Sequence, residues 1–169
     1  MSQISALIEE QIPRLRRYAR ALTGDSSRAD DLVQDTLERA WGKLNLWRQG
    51  SDIRAWMFSI MHNLFINQIR QNPSAHVFVP LADEALEIPV RATQSDGLEM
   101  HDLMSAIHHL PHEFREVVLL VGLEQLRYEE VAQVLGVPIG TVMSRLSRGR
   151  EKLRALMAGN ASPALRRVK

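Results

Sequence analysis

The chain of 169 residues carries 21 Lys and Arg against 20 Asp and Glu, a formal net charge of +1, and has no cysteine. An apolar fraction of 45% is enough for a globular core, while the missing cysteines exclude disulfides and Cys-ligated metal. There is no run of eighteen apolar residues and no charged-then-apolar leader, so a cytoplasmic protein is expected.

Helical periodicity appears almost everywhere, and no segment shows the sustained apolar/polar alternation of a half-buried strand, which predicts an all-α fold. A first helix is predicted over Ile4 to Leu22, interrupted or restarted near Pro13 and stopped by Gly24. A second begins with Ser26 or Ser27 as cap, carries Asp30 and Asp31 in its first turns where the helix dipole favours anions, and runs past Trp41. The loop NLWRQGSD leads to a third helix from Ile53 to about Arg70, ended by Gln71-Asn72-Pro73. That third helix is apolar nearly all round, with Trp56, Met57, Ile60 and Leu64 on one side and Phe58, Phe65 and Ile69 on another. It must therefore lie between neighbours, leaving a narrow polar edge of Ser59, Asn63, Asn67 and Arg70. Phe58 and Phe65 are read as core.

From His76 to Met100 the periodicity fades, and Pro80, Pro89, Gly97 and five acids against one Arg predict a flexible acidic linker. Twenty-five residues of coil average roughly 25–30 Å end to end and stretch to about 85 Å, so two small helical domains could occupy separate sites. The predicted organisation is a first domain over 1–75, a linker over 76–100, a second domain over 101–157 and a basic tail over 158–169. The second domain reads as short helices over His101 to Leu110, Glu113 to Leu123, Tyr128 to Leu135 and Ile139 to about Met157.

Divided along the chain, the charge is uneven. Lys and Arg against Asp and Glu number 10 to 8 in residues 1–75, 1 to 5 in 76–100, 2 to 6 in 101–140 and 8 to 1 in 141–169. A basic block behind an acidic middle points to a local polyanion contact. At about 100° per residue, Ser144, Arg145, Arg148 and Lys152 all fall within about 60° of Thr141, while Val142, Leu146, Gly149 and Leu153 form an apolar stripe roughly 110° away. Ahead of this helix stands a short amphipathic one, Tyr128 to Leu135, with Ala132 small enough for a close crossing and Gly136 suited to a left-handed turn. Helix, three-residue turn and helix is the spacing of a helix-turn-helix, whose second helix enters the DNA major groove. A solvated surface face is the plainer alternative, but a single charge sign and hydroxyls on the same face favour DNA.

Four stretches carry a wider likeness: DDLVQDTLERAW from Asp30, DIRAWMFSIMHNLFINQIR from Asp52, LPHEFREVVLL from Leu110 and YEEVAQVLGVPIGTVMSRLSRGREKL from Tyr128. In this order, around an acidic linker, they resemble the extracytoplasmic-function (ECF) sigma factors, promoter-specificity subunits of bacterial RNA polymerase. The resemblance implies a first domain, sigma region 2, that binds core polymerase and the minus-ten element, and a second, sigma region 4, that binds the minus-thirty-five element. It implies polymerase contacts from Gln34, Asp35 and Arg39, with Asp31 on the edge of that set; Asp30 and Asp31 read more simply as complements to their own helix dipole. It implies that Asn63 and the loop Asn45 to Ile53 receive a base flipped from the opened strand, with a cationic rim from Lys43 and Arg48 holding the strand's backbone; Arg70 completes the minus-ten set. Asn63 bonding a loop carbonyl is the alternative. The minus-thirty-five set is Thr141, Ser144, Arg145, Arg148 and Lys152. Expected partners are core RNA polymerase, promoter DNA and an anti-sigma factor, with no cofactor, no metal and no stable homo-oligomer.

Two departures from the family pattern stand out. Arg127 occupies a position where relatives often place a Ser or Thr cap, a loss of about 1 kcal/mol unless Glu130 compensates. Met143 occupies a recognition-helix position that is often basic. Rival readings are a sigma mimic that binds only anti-sigma factors, which should lack the cationic face, and a one-component repressor, which leaves the clamp-like motif without a role. An enzyme is disfavoured because no phosphate-cradling glycine loop or nucleophile motif is present. His101, His108, His109 and His112 cluster in sequence, but Pro111 breaks the helical spacing a metal site would need.

Overall fold

The computed structural model describes residues 2–73 and 94–167. Among them are seven α-helices and no strand: α1 (Ser2–Thr23), α2 (Ser26–Gly42), a 3₁₀ turn (Leu44–Leu46), α3 (Ile53–Gln71), α4 (Gln94–His109), α5 (His112–Gly122), α6 (Tyr128–Leu135) and α7 (Ile139–Arg167). The all-α expectation holds. Residues 76–93 of the expected linker lie outside the described residues, and α4 takes up the remainder, starting at Gln94 instead of 101. Helix α7 runs on through the expected tail to Arg167.

Three local expectations are corrected. Pro13 lies inside an unbroken α1 on its exposed side, where the helix tolerates the missing donor. The cap of α2 is Asp25, not Ser26 or Ser27: its carboxylate accepts from Ser27 N–H at 2.9 Å and Arg28 N–H at 3.2 Å. Starting there, the first turn of α2 holds no acid, so Asp30 and Asp31 sit one turn too deep for the dipole role. The corner between α1 and α2 is tight because Gly24 adopts φ +67° and Thr23 Oγ1 donates back to Ala19 O at 2.8 Å.

The first domain packs α1, α2 and α3 around Leu15, Tyr18, Leu22, Leu32, Met57, Phe58, Met61 and Phe65, all essentially inaccessible. Tyr18 and Phe58 meet edge to face at 5.1 Å. Phe58 and Phe65 are core, as their place on the helix required. In the second domain α7 crosses α5 closely because residue 149 is glycine: a Cβ there would lie 2.9 Å from Val118 Cγ2. Gly149 is the small residue on which the α5–α7 crossing depends. Gly136 takes the left-handed conformation at φ 65°, ψ 37° and ends α6. Glu130 Oε1 accepts from Arg127 N–H at 3.0 Å and from Arg127 Nε at 3.1 Å, which supplies the N3-carboxylate half of a capping box but not the bond that a Ser or Thr cap would accept from the first-turn N–H groups.

The two domains close on each other. Helix α3 packs on α2 on one side and on α6 on the other, which is how a helix apolar all round finds its cover. Charged pairs line this seam. Arg17 forks onto Glu124 with Nη2 at 3.0 and 3.1 Å from the two carboxylate oxygens. Arg54 Nη2 lies 3.5 Å from Glu130. His62 Nδ1 lies 2.6 Å from Glu116 Oε1, a short hydrogen bond between the two domains. Arg115 donates from Nη1 to Leu22 O at 2.8 Å and from Nη2 to His108 O and Leu110 O, satisfying carbonyls at the ends of α1 and α4 together.

Candidate nucleic-acid and polymerase interfaces

On α7 the apolar stripe turns inward as expected: Val142, Leu146 and Gly149 are buried and Leu153 is half-buried. Burying those residues fixes the rotation of the helix and pushes the opposite side into solvent. Ser144, Arg148 and Lys152 are exposed, and Thr141 and Arg145 half-exposed beside them. Arg145 and Arg148 form no ion pair with any described residue. Lys152 alone is engaged, its Nζ 5.7 Å from the centre of the Phe114 ring. The Ser144 hydroxyl donates to Thr141 O at 3.1 Å. Backbone N–H groups at Thr141 and Val142 reach back to Pro138 O, which leaves Ile139 and Gly140 as the free donors at the helix start. Cations, hydroxyls and a helix N-terminus on one open face suit phosphate and base-edge contact.

On α2 the exposed face gathers Asp31, Gln34, Asp35 and Arg39, with Gln34 Nε2 3.5 Å from Glu38 Oε1 one turn on. Asp35, Glu38, Arg39, Gly42, Lys43 and Leu64 border one open depression of about 490 Å³. The depression joins the expected polymerase set to Lys43 of the expected minus-ten set. Asn63 is exposed on α3, and its side chain bonds no described residue, so the loop-carbonyl alternative does not hold. Arg70 is exposed at the end of the same helix and Arg48 on the preceding loop, which Ser51 closes by donating from Oγ to Arg48 O at 2.6 Å.

Sequence reasoning did not single out Trp47 in that loop. Its ring packs against Trp56 with centres 6.4 Å apart, and its indole N–H is buried without an acceptor among the described residues. The only signal was an aromatic in a polar loop. The histidines near 101–112 part company: His108 is buried against Gly24, His109 Nδ1 donates to Ser105 O at 2.8 Å and the His112 ring stands edge to face with Phe65. Among the described residues no three His, Asp or Glu are placed to share a metal ion. No described helix is long and apolar enough to cross a membrane.

Two family models match the chain, the Sigma2 domain of PhyR over residues 8–62 and Sigma-70, region 4 over residues 100–153. The ECF RNA polymerase sigma factor EcfG of Rhodopseudomonas palustris is 37% identical over 146 residues, covering 86% of this chain and 80% of its own. The chain belongs to the ECF RNA polymerase sigma factors. Its fold is that of solved members. The sigma factor RpoE of Bartonella quintana, solved in complex with the anti-sigma factor NepR, shares 32% identity with this sigma factor at a TM-score of 0.76 over 94% of this chain and 98% of its own. CnrH, solved with the cytosolic domain of CnrY, shares 28% at a TM-score of 0.65 over 92% of this chain and 87% of its own. As an ECF sigma factor, the protein is a transcription regulator that directs RNA polymerase to promoters.

Proposed function

We propose that α7 of this sigma factor reads the minus-thirty-five element through Thr141, Ser144, Arg145, Arg148 and Lys152. Asp31, Gln34, Asp35 and Arg39 hold core polymerase, and Asn63 with Lys43, Arg48 and Arg70 holds the opened minus-ten strand. The observation that carries this reading is the unpaired cationic face of α7, on which Arg145, Arg148 and Lys152 form no ion pair with a described residue, since a face kept for solvation alone would pair its charges. The protein has no chemistry of its own in this role and works in the cytoplasm with polymerase and DNA.

The closed seam belongs to the free or inhibited form. Some 150 residues packed as one body measure about 40 Å across. The two promoter elements lie about 25 base pairs apart, about 85 Å of duplex at 3.4 Å per pair. One closed body does not span that distance, so the domains separate on the promoter. An anti-sigma factor that favours the closed form inhibits by mass action, and the similarity to RpoE, solved with the anti-sigma factor NepR, supports such a partner.

A second reading, a sigma mimic, is favoured by the match of residues 8–62 to the Sigma2 domain of PhyR. The free arginines of α7 count against it. Run-off transcription with purified core polymerase decides: promoter-dependent product is expected, and its absence with intact anti-sigma binding would establish the mimic.

A further inference from the structure

Helix α7 exposes two large apolar side chains, Ile139 at 42% and Met143 at 52% of their surface. They stand one turn apart on the same side of the helix, and neither serves the core, which takes Val142 and Leu146 from the adjoining stripe. Both lie in the first turns of the second helix of a helix-turn-helix, the part that meets base edges. Farther along the same line the character changes: Arg150, seven residues past Met143, and Arg154 are exposed and form no ion pair with described residues. Ser147, one turn past Met143 and exposed, borders the pair on its outer side.

We infer that Met143, supported by Ile139, reads the 5-methyl group of a thymine on the floor of the major groove. The methyl is the one apolar group that a base pair offers there, and its usual protein partner is a small or flexible apolar side chain. An unbranched thioether can follow the groove floor as the helix settles. Charge selects the occupant. A protein surface that covered Ile139 and Met143 would also need anions at the spacing of Arg150 and Arg154, which continue the same line. A duplex supplies that arrangement unaided, with phosphate walls on both sides of a floor that carries methyls. The inference rests on the DNA reading of α7 proposed above and adds to it a base preference, A·T at one step, that the arginines and hydroxyls do not determine.

The test uses the full-length protein bound to bacterial core polymerase. Duplexes are selected by this holoenzyme from a random library, and their affinity is measured by fluorescence anisotropy. Each thymine of the upstream element is then replaced in turn by deoxyuridine, which removes the methyl and nothing else. At one or two thymines the replacement is expected to weaken binding about fourfold, the worth of one buried methyl-sized group. Met143→Ala should lose a similar factor on the thymine duplex and become indifferent to deoxyuridine at that step, while Met143→Leu keeps the sensitivity. Met143→Lys should bind all duplexes more tightly and steepen the salt slope by about one phosphate, again without methyl sensitivity.

A selected upstream element with no A·T pair, a wild-type response flat to deoxyuridine at every step, or an undiminished response in Met143→Ala each overturns the inference while leaving the DNA reading intact. If the holoenzyme selects no sequence at all, the DNA reading itself fails and the methyl contact with it. Because residue 143 is exposed, urea unfolding of the variants should superimpose on the wild type and exclude misfolding as the cause.

Discussion

The contact between Gly24 and His108 ties the α1–α2 corner of the first domain to α4 of the second, and its strength can be worked out. A Cβ on residue 24 would lie 2.0 Å from His108 Nε2 and 2.2 Å from Cε1. Both atoms belong to a rigid ring that is only 6% exposed, so the ring must leave its place. Gly24→Ala also carries a side chain at φ +67°, a strain of about 1 kcal/mol. Expelling a buried ring that bonds the Thr23 backbone adds about 2 kcal/mol, for a total near 3 kcal/mol. His108→Ala alone costs about 2–3 kcal/mol through the cavity it leaves. In the double variant the new methyl enters that cavity, and only the backbone strain adds to the His108→Ala loss. Urea denaturation of the four proteins should therefore show a coupling of about 2 kcal/mol at unchanged m-value. Additivity to within about 0.5 kcal/mol would refute the claim that the ring and the glycine occupy one another's space.

Acid should weaken the same contact. Burial, reinforced by Arg115 and His109, lowers the His108 pKa from 6.5 to about 4, whereas hydrogen bonding to Thr23 acts the other way without prevailing. Between those values the unfolded chain binds a proton that the folded chain refuses, so stability falls as pH drops from 6.5 toward 4, by about 3 kcal/mol in all. Thermal melts against pH should lose that slope in His108→Ala. Glu130 behaves differently: burial raises its pKa, but hydrogen bonds from Arg127 and the charge of Arg54 prevail and hold it at about 2. Its contribution is complete above 4.5 and disappears only as pH falls toward 2, so Glu130→Gln should leave the melts near pH 5 parallel to the wild type while lowering them throughout. Glu116→Gln deprives His62 of its anion and should loosen the seam by about 1–3 kcal/mol, seen as an increased radius of gyration in X-ray scattering; an unchanged radius counts against the pair as a latch. Arg145→Ala with Arg148→Ala should reduce the slope of log affinity against log salt by about 2, and an unchanged slope would remove that face from the duplex. Gln34→Ala with Asp35→Ala should weaken core polymerase pull-down at constant stability, and full retention would place the clamp contact elsewhere.

Much of this molecule was legible because its signals are local. The rotation of α7 follows from four apolar residues at helical spacing, and the end of α6 from one glycine. The burial of Phe58 and Phe65 follows from a helix with no polar face to spare. The start of α2 was missed by one residue because three consecutive positions, Asp25, Ser26 and Ser27, all carry capping side chains, and only the geometry shows which oxygen meets which N–H. Pro13 was overread: a proline signals a break only where its neighbours could not otherwise hold the helix, and α1 is held by the domain beneath it. The seam was invisible for a different reason. Its members are separated by 54 to 107 positions, and no periodicity relates His62 to Glu116 or Arg17 to Glu124. The trace they left was indirect, in carboxylates at 116 and 124 beside apolar residues where a surface acid was not expected.

The composition of the seam bears on why it can open. Burying a charge pair returns little net stability, because attraction in the closed state replaces hydration in the open one. Arg17 remains partly exposed where it meets Glu124, and the Arg54–Glu130 pair is also reached by solvent, so water can replace each partner as the domains part. The helix packing across the interface is shared by α3, on α6, and by α1, on α5 and α4; apolar surface exposed there on opening favours closure when nothing else covers it. A seam that is apolar throughout would close irreversibly; a wholly charged one would not close in water at ordinary salt. Combining the two gives a free energy small enough for a bound polymerase or a bound inhibitor to reverse. Each charge pair then contributes registry more than strength, setting which faces meet while leaving the equilibrium near balance.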